Sequence, residues 1–308
     1  MIVNHWSALT MNDSKAELFP PKFRIAPTPS GFLHQGNITS FILTWALSKA
    51  INGKLLLRID DLDRTRFRPV YLDDIFRKLE HYKLDYDEGP SGPDDFNSSW
   101  SQTTRIGLYH DFLKRLSDVS ELFACSCSRS EIAEGKICEC RNTAIRPEDF
   151  ALKISTSRLP PVQWNDRLCG QCEVCIHHHM PDFVIQKKEG SPAYQLTSLA
   201  DDVHFGITDI IRGKDLVYAT AAQLALARLL QEERFMQIRF YHHPLLLSSE
   251  GIKLSKSAGD GLPLDSGNAS DLPAESEMLD TIYQWIQLPY RPETKEDLIN
   301  ALRTHFCK

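Results

Sequence analysis

The stretch from Phe23 to Asn37, FRIAPTPSGFLHQGN, restricts the fold more than any other part of the chain. Its apolar run, Phe23, Ile25 and Ala26, ends in Pro27-Thr28-Pro29-Ser30-Gly31, a rigid turn in which proline fixes φ and glycine supplies freedom. His34-Gln35-Gly36-Asn37 follows and leads into Ile38, Phe41, Ile42 and Trp45, an apolar stripe at helical spacing. Strand, tight turn and helix N-terminus in this order build an anion site, because the first amides of the helix have no partner within it. His34 adds a donor aimed at a phosphate, and Gly36 lets a flat base or a ribose approach the backbone. The plainer alternative is the strand-to-helix connection of any α/β protein.

The helix after Asn37 is expected to stop at Gly53. Residues 54 to 59 read as a buried strand that runs straight into Asp60-Asp61-Leu62-Asp63-Arg64. Acidic residues there stand at the carboxyl end of a strand, where open sheets bind ligands. Leu72, Ile75, Phe76 and Leu79 predict a second amphipathic helix, and strand, helix, strand, helix is the order of a parallel α/β sheet. Residues 88 to 101, rich in Gly, Pro, Ser and Asp, read as a loop, followed by a helix with Ile106, Tyr109, Leu113 and Leu116 on one face.

A chain of 308 residues suits two modest domains, or one domain carrying a large insertion. Its apolar runs are too short to cross a bilayer, and residues 1 to 22 lack the apolar core of a secretory signal. The expectation is a cytoplasmic protein with no membrane association and a flexible, polar N-terminal tail over residues 1 to 22. The net charge of −6 does not advertise nucleic-acid binding, so an RNA partner needs a local basic face. Arg64, Arg66 and Arg68, or Lys187 and Lys188, are candidates for it, with solvated surface as the alternative.

The eight cysteines are clustered rather than scattered, which in a cytosolic chain points to metal thiolates more than to disulfides. Cys125, Cys127, Cys138 and Cys140 supply four soft ligands in two close pairs, the set for one closed, structural Zn²⁺ site. Cys169, Cys172 and Cys175, followed by His177, His178 and His179, allow a second zinc or an iron–sulfur site. Against this, Val162, Trp164 and Leu168 before them and Phe183, Val184 and Ile185 after them read as a β-hairpin, on which Cys172 faces away from its neighbours. The histidines then form a solvated turn.

From Ala193 the sequence reads AYQLTSLADDVHFGITDIIRGKDL. Residues 199–203 and 207–211 are expected as two strands joined around Gly206, with a helix from Leu216 to Gln231. Arg212 at the strand end, with Tyr194 and Asp60 brought near, can hold a small carboxylate-bearing substrate in a bidentate grip. A salt-bridged arginine at a strand terminus is the alternative. Residues 240–247 form a further expected strand. In the Ser/Gly-flanked loop that follows, Lys253 and Lys256 can swing onto phosphates and neutralise developing charge. Residues 258 to 276 read as linker, and two short helices around Met278 to Ile286 and Leu298 to Leu302 close the chain.

Together, His34-Gln35-Gly36-Asn37 and Lys253-Leu254-Ser255-Lys256-Ser257 resemble the two ATP motifs of class I aminoacyl-tRNA synthetases, in order and in separation. RIAPTPSGFLH, LRIDDLDRTR and GITDIIRGKDL are similar to the glutamyl branch of that class, with the resemblance running from about Arg24 to Ser257. Only 51 residues follow Ser257, too few for the anticodon-binding domain of ordinary glutamyl-tRNA synthetases. The chain therefore resembles the glutamyl-queuosine tRNA(Asp) synthetase family, which activates glutamate with ATP and attaches it to the queuosine base of the tRNA(Asp) anticodon.

The resemblance implies a Rossmann-type parallel-sheet core, in halves at 23–100 and 193–260. It further implies an inserted zinc-bearing, acceptor-facing module at 101–192 and a linker with C-terminal helices at 261–308. It also implies the roles. Arg24, Ala26, Thr28, Asp60, Tyr194 and Arg212 would bind L-glutamate. Pro27, His34, Gly36, Asn37 and Lys256 would bind ATP with its Mg²⁺, and His34, Asn37, Lys253 and Lys256 would act in catalysis. Tyr194, with Arg212, completes the pocket, and no obligatory protein partner is implied. The sequence departs from the family at Asp60, where Glu is usual. It departs again at Cys138 and Cys140, where a Tyr and one Cys are usual, and at Cys169 to Cys175, which has no counterpart. A truncated glutamyl-tRNA synthetase charging a 3′ end, a non-catalytic zinc-dependent RNA-binding module and a small-molecule adenylyltransferase are the alternatives.

Overall fold

The computed structural model of the protein describes residues 20–142, 149–246 and 272–306. Lys253, Lys256 and the rest of the lysine loop lie outside them, as do residues 1–19 and Cys307. The first strand, β1 (Lys22–Ile25), runs through the proline turn into α1 (Gln35–Ala50), after which β2 (Lys54–Leu57) returns parallel to β1. Leu55 and Leu57 face one hydrophobic core and Leu56 another, the two-residue alternation of a strand covered on both sides. Hydrogen bonds from the Arg58 amide to Ile25 and from the Asp60 amide to Pro27 continue the ladder past the strand proper. The acidic residues are thereby carried to the same edge as the proline turn.

Next come α2 (Pro69–His81), the short α3 (Pro93–Asp95) and α4 (Ile106–Val119). The expected loop at 88–101 thus contains α3 and a π-helical turn at Phe96–Trp100, which buries Phe96. Strand β3 (Leu122–Cys125), α5 (Arg129–Ala133), β4 (Ala151–Ile154), β5 (Val162–Asp166), β6 (Gly170–Val174), α6 (Ile176–His179) and β7 (Val184–Gln186) follow. Strands β3, β4 and β7 form an antiparallel sheet, and among the described residues β5 pairs only with β6. The expected hairpin is corrected accordingly. Phe183 to Ile185 belongs with β4, and the true partner of Val162–Asp166 is the polar, cysteine-bearing Gly170–Val174, reached through a tight turn with Gly170 at φ +75°.

The chain then enters α7 (Tyr194–His204), β8 (Asp209–Gly213), α8 (Val217–Leu230), α9 (Glu233–Met236), β9 (Arg239–His243), α10 (Glu275–Ile286) and α11 (Lys295–Phe306). Residues 199–203 are helix, not strand. Leu196, Leu199 and Ala200 are buried at helical spacing, and Asp201 and Asp202 are buried beside them against arginines. The last core strand stops at His243 because Pro244 cannot continue the ladder.

The main sheet has the order β2-β1-β8-β9, all parallel. After β1 the chain crosses to β2 on one side, and after β8 to β9 on the other. The order therefore reverses between β1 and β8, which is where open parallel sheets leave a crevice at their carboxyl ends. Helix α1 covers that crevice, and α10 and α11 pack on α1 through Met278, Leu279, Ile282, Leu298 and Leu302.

Candidate active site

A cavity of about 530 Å³ opens at the carboxyl ends of β1 and β8. Arg24, Ala26, Thr28, His34, Gly36, Asn37, Asp60, Tyr194 and Arg212 all line it, although they come from four separate parts of the chain. Pro27 does not; its carbonyl is used by the Asp60 amide. His34 is the N-cap of α1, and Asn37 Oδ1 accepts from the His34 amide at 3.2 Å, which fixes the first turn. A Cβ on Gly36 would stand 3.2 Å from the His34 ring, so glycine is what lets that ring lie along the helix.

The other end of the cavity is built from buried charge. Arg58 grips Asp60 with two bonds (Nε to Oδ1 at 2.7 Å, Nη2 to Oδ2 at 3.0 Å) and reaches Asp202 Oδ1 with Nη1 at 2.7 Å. Arg24 Nε donates to the same Asp202 oxygen at 3.0 Å. Asp201, next in sequence on α7, accepts from Arg105 Nε at 2.9 Å, Gln102 Nε2 at 3.0 Å and the Tyr109 hydroxyl. Burial raises the Asp60 carboxyl above its ordinary value against the pull of Arg58. Burial alone would lower Arg58, but Asp60, Asp202 and Asp201 hold it well above the ordinary arginine value.

Arg212 differs from these. It is 4% exposed, Nη1 donates to Gln223 Oε1 at 3.0 Å, and Nε and Nη2 have no hydrogen-bond partner among the described residues. No carboxylate among the described residues lies within ion-pair distance of it, so the salt-bridge alternative does not apply. Burial lowers its pKa to about 10. A guanidinium placed this way can accept an anion at Nε and Nη2.

Sequence reasoning missed Arg58, which reads as one more residue of a buried strand, and Ser40, His243 and Trp285, which also line the cavity. His243 hides behind a strand pattern and Trp285 behind a helical one; only the packing of α10 on α1 reveals them.

The sulfurs of Cys125, Cys127, Cys138 and Cys140 lie within 4.8 Å of one another, with pair separations of 3.6 Å (Cys125–Cys138) and 3.7 Å (Cys127–Cys140). Four sulfurs about 2.3 Å from a tetrahedral zinc stand about 3.8 Å apart, so the set fits that ion. All four are free thiols. They are carried by the end of β3, the turn before α5 and the 3₁₀ turn at Cys140–Asn142. Cys169, Cys172 and Cys175 form no such group among the described residues. The Cys169 thiol donates to the His242 carbonyl, Cys172 lies opposite Trp164 in the hairpin, and Cys175 caps α6. The histidines are exposed, as expected, but on α6 rather than in a turn; His177 meets Thr156 Oγ1 at 3.1 Å, and His179 stacks on Tyr218. The two basic groups approach each other, as Arg66 pairs with Asp63 at 2.8 Å and Lys187 stands 4.0 Å from the same carboxylate. No helix among the described residues is long and apolar enough to cross a membrane.

The sheet order, the histidine-capped helix and the crevice between β1 and β8 are those of a nucleotide-binding ligase core. Consistent with this, the family described as tRNA synthetases class I (E and Q), catalytic domain, matches residues 22–276. The chain is 37% identical over 254 residues to a protein of Pseudomonas entomophila (strain L48) named Glutamyl-Q tRNA(Asp) synthetase, covering 81% of each chain. It is 36% identical over 270 residues to the protein of that name from Pseudomonas putida strain F1, covering 86% of this chain and 83% of the other. The chain belongs to this class I synthetase family, the glutamyl-Q tRNA(Asp) synthetases, and is a ligase-type enzyme. Glutamate–tRNA synthetases from Elizabethkingia anophelis and Elizabethkingia meningosepticum share its fold, with TM-scores of 0.70 and 0.69 and 22% identity. Each match covers 92% of this chain, which spans 65% and 64% of those two proteins.

Proposed function

We propose that the protein activates L-glutamate with ATP to glutamyl-AMP and transfers the glutamyl group to queuosine in the anticodon of tRNA(Asp). The observation that carries the activation step is Arg212, a buried guanidinium with two unpartnered donors on a cavity whose other cations already have carboxylates. Arg24, Arg58 and Arg212 against Asp60 and Asp202 leave one positive charge in excess at that end. An amino acid with two carboxylates and one ammonium carries one negative charge and makes the site neutral. In this reading Arg212 holds a substrate carboxylate with Tyr194 beside it, and Asp60 faces the ammonium. Arg24, Ala26 and Thr28 line the path between the amino acid and the nucleotide.

The α-carboxylate of glutamate attacks the α-phosphorus of ATP in line, and pyrophosphate leaves, with no covalent protein intermediate. Catalysis is then positioning and charge neutralisation. His34, Asn37 and the first amides of α1 face the phosphates, and Pro27 and Gly36 shape the turn beneath them. Lys253 and Lys256 are assigned to the departing pyrophosphate. Mg²⁺ bound with the triphosphate would supply further neutralisation of its charge. In the second step a hydroxyl of the modified base attacks the mixed anhydride and releases AMP. The names of the relatives support queuosine in tRNA(Asp) as acceptor.

Residues 101–192 are taken as the acceptor-facing module, with zinc on Cys125, Cys127, Cys138 and Cys140 as its structural ion. The basic side chains that meet at Asp63 offer it a phosphate-facing edge.

Pyrophosphate exchange with glutamate, glutamine and aspartate compared tests the first step. Exchange with glutamate alone, abolished by His34→Ala, is expected; exchange driven better by another amino acid overturns the substrate. Glutamylation of tRNA(Asp) with and without queuosine tests the second, and equal labelling of both rules out the queuosine acceptor.

A further inference from the structure

Besides the arginines, the cavity is lined by a different kind of surface. Trp285, on α10, stacks on His243 at the end of β9 with ring centroids 4.2 Å apart and planes 9° from parallel, and both rings line the cavity. His243 is held on both sides. Its Nδ1 donates to the Pro244 carbonyl at 2.7 Å, and Nε2 lies 3.0 Å from the hydroxyl of Ser40 on α1. The two bonds fix the ring plane, and in the neutral imidazole Nε2 accepts from the Ser40 hydroxyl. Burial, which pushes its pKa down to about 4, keeps the ring neutral.

The cavity thus combines the cationic arginines with a flat aromatic pair, and the Asp215 carboxylate, which also lines it, acts on His243. Helix α1 presents His34, Gly36 and Asn37 first and Ser40, Phe41 and Thr44 further along, the six steps from His34 to Ser40 spanning about 9 Å. A phosphate suits the first group and a planar heterocycle the second.

We propose that Trp285, backed by His243, is the base-contacting residue of the nucleotide end, against which the purine ring of ATP lies. This rests on the activation reading above. It goes beyond it by making the C-terminal helix α10, which lies largely past residue 276 where the family match ends, a working part of the pocket.

The test uses the full chain. Trp285 is one of five tryptophans, so the ATP-dependent change in intrinsic fluorescence is compared between wild type and Trp285→Phe. Quenching by ATP that disappears in Trp285→Phe, with none from inorganic tripolyphosphate, is the expected result. Equal quenching by tripolyphosphate, or an undiminished response in Trp285→Phe, overturns the proposal. In pyrophosphate exchange, Trp285→Ala raises the KM for ATP about ten- to a hundredfold and leaves the KM for glutamate within about twofold, with Trp285→Phe restoring most of the loss. Equal rises in both constants would mean that the residue only holds α10 in place, and an unchanged KM for ATP would also refute it. Should Trp285→Ala not fold, the Phe comparison decides. Failure of wild-type exchange with glutamate would count against the activation reading alone, because the fluorescence comparison needs no amino acid.

Discussion

Replacing Arg212 separates a binding arginine from a structural one. In the unliganded protein its charge is held against a fall in pKa from 12.5 to about 10. At about 1.4 kcal/mol per pKa unit, that burial costs the fold about 3 kcal/mol. Arg212→Met removes the cost but leaves Gln223 Oε1 without its donor, a loss of about 1–3 kcal/mol. The two nearly cancel, so the melting temperature without ligands stays the same or rises by a few degrees. A buried arginine that served as half of a salt bridge would instead cost about 3–5 kcal/mol when removed. Function moves the other way. Each charge-assisted hydrogen bond from Nε and Nη2 to a substrate carboxylate is worth about 1.5–3 kcal/mol, and a lysine can restore at most one. Arg212→Lys therefore lowers kcat/KM for glutamate about 10- to 150-fold in pyrophosphate exchange, with the KM for ATP unmoved. Melting curves with and without glutamate complete the test, since a glutamate-induced rise is expected in wild type and not in Arg212→Met. A fall of many degrees in the ligand-free melt of Arg212→Met, or an unaltered glutamate KM in Arg212→Lys, refutes the reasoning.

Asp202→Asn weakens the shared acceptor of Arg24 Nε and Arg58 Nη1 and leaves buried cations undercompensated. It is expected to lower stability by about 3 kcal/mol in chemical denaturation and glutamate-dependent exchange by more than tenfold. Cys125→Ser loses one equivalent of zinc by metal analysis of the purified protein, whereas Cys172→Ser keeps it. Loss of metal in both would place a ligand in the hairpin. His243, near 4 when folded and about 6.5 when unfolded, binds its proton more readily in the unfolded chain between those values, so stability is full above them and falls as pH drops through that window. The loss is about 2 kcal/mol at pH 5. His243→Gln should flatten the decline in melting temperature between pH 7 and pH 5, and an unchanged slope would show that other groups cause it.

The region around His34 was legible because each residue there has a local reason for its place. An apolar run needs a sheet, prolines and glycine need a turn, and a stripe at helical spacing needs a helix. The four zinc-type cysteines were legible for a related reason, since two close pairs only 13 residues apart are brought together by one short local segment around α5. Cys169, Cys172 and Cys175 have comparable spacing but fall in a turn, a strand and a helix cap, and the rigid hairpin keeps them apart. Asp201 and Asp202 misled in another way. They interrupt the apolar pattern of α7, and only the arginines of distant strands and loops make their burial favourable. Long-range pairing of this sort leaves no periodic trace, which is also why Arg58, His243 and Trp285 could not be placed.

The distribution of paid and unpaid charge then bears on selectivity. Arg24 and Arg58 have their desolvation offset by Asp202 and Asp60 before any ligand arrives, so they are fixed in place and have little to gain from a particular side chain. Arg212 has no such offset. A substrate that brings a carboxylate to it recovers the whole cost of its burial, while one that brings a neutral amide recovers only part and still loses its own hydration. On the proposed reading, discrimination between glutamate and glutamine is concentrated at one guanidinium rather than spread over the pocket. The network around Asp202 serves to hold that guanidinium's surroundings rigid and already neutral, so that the only charge left to satisfy is the one the substrate carries.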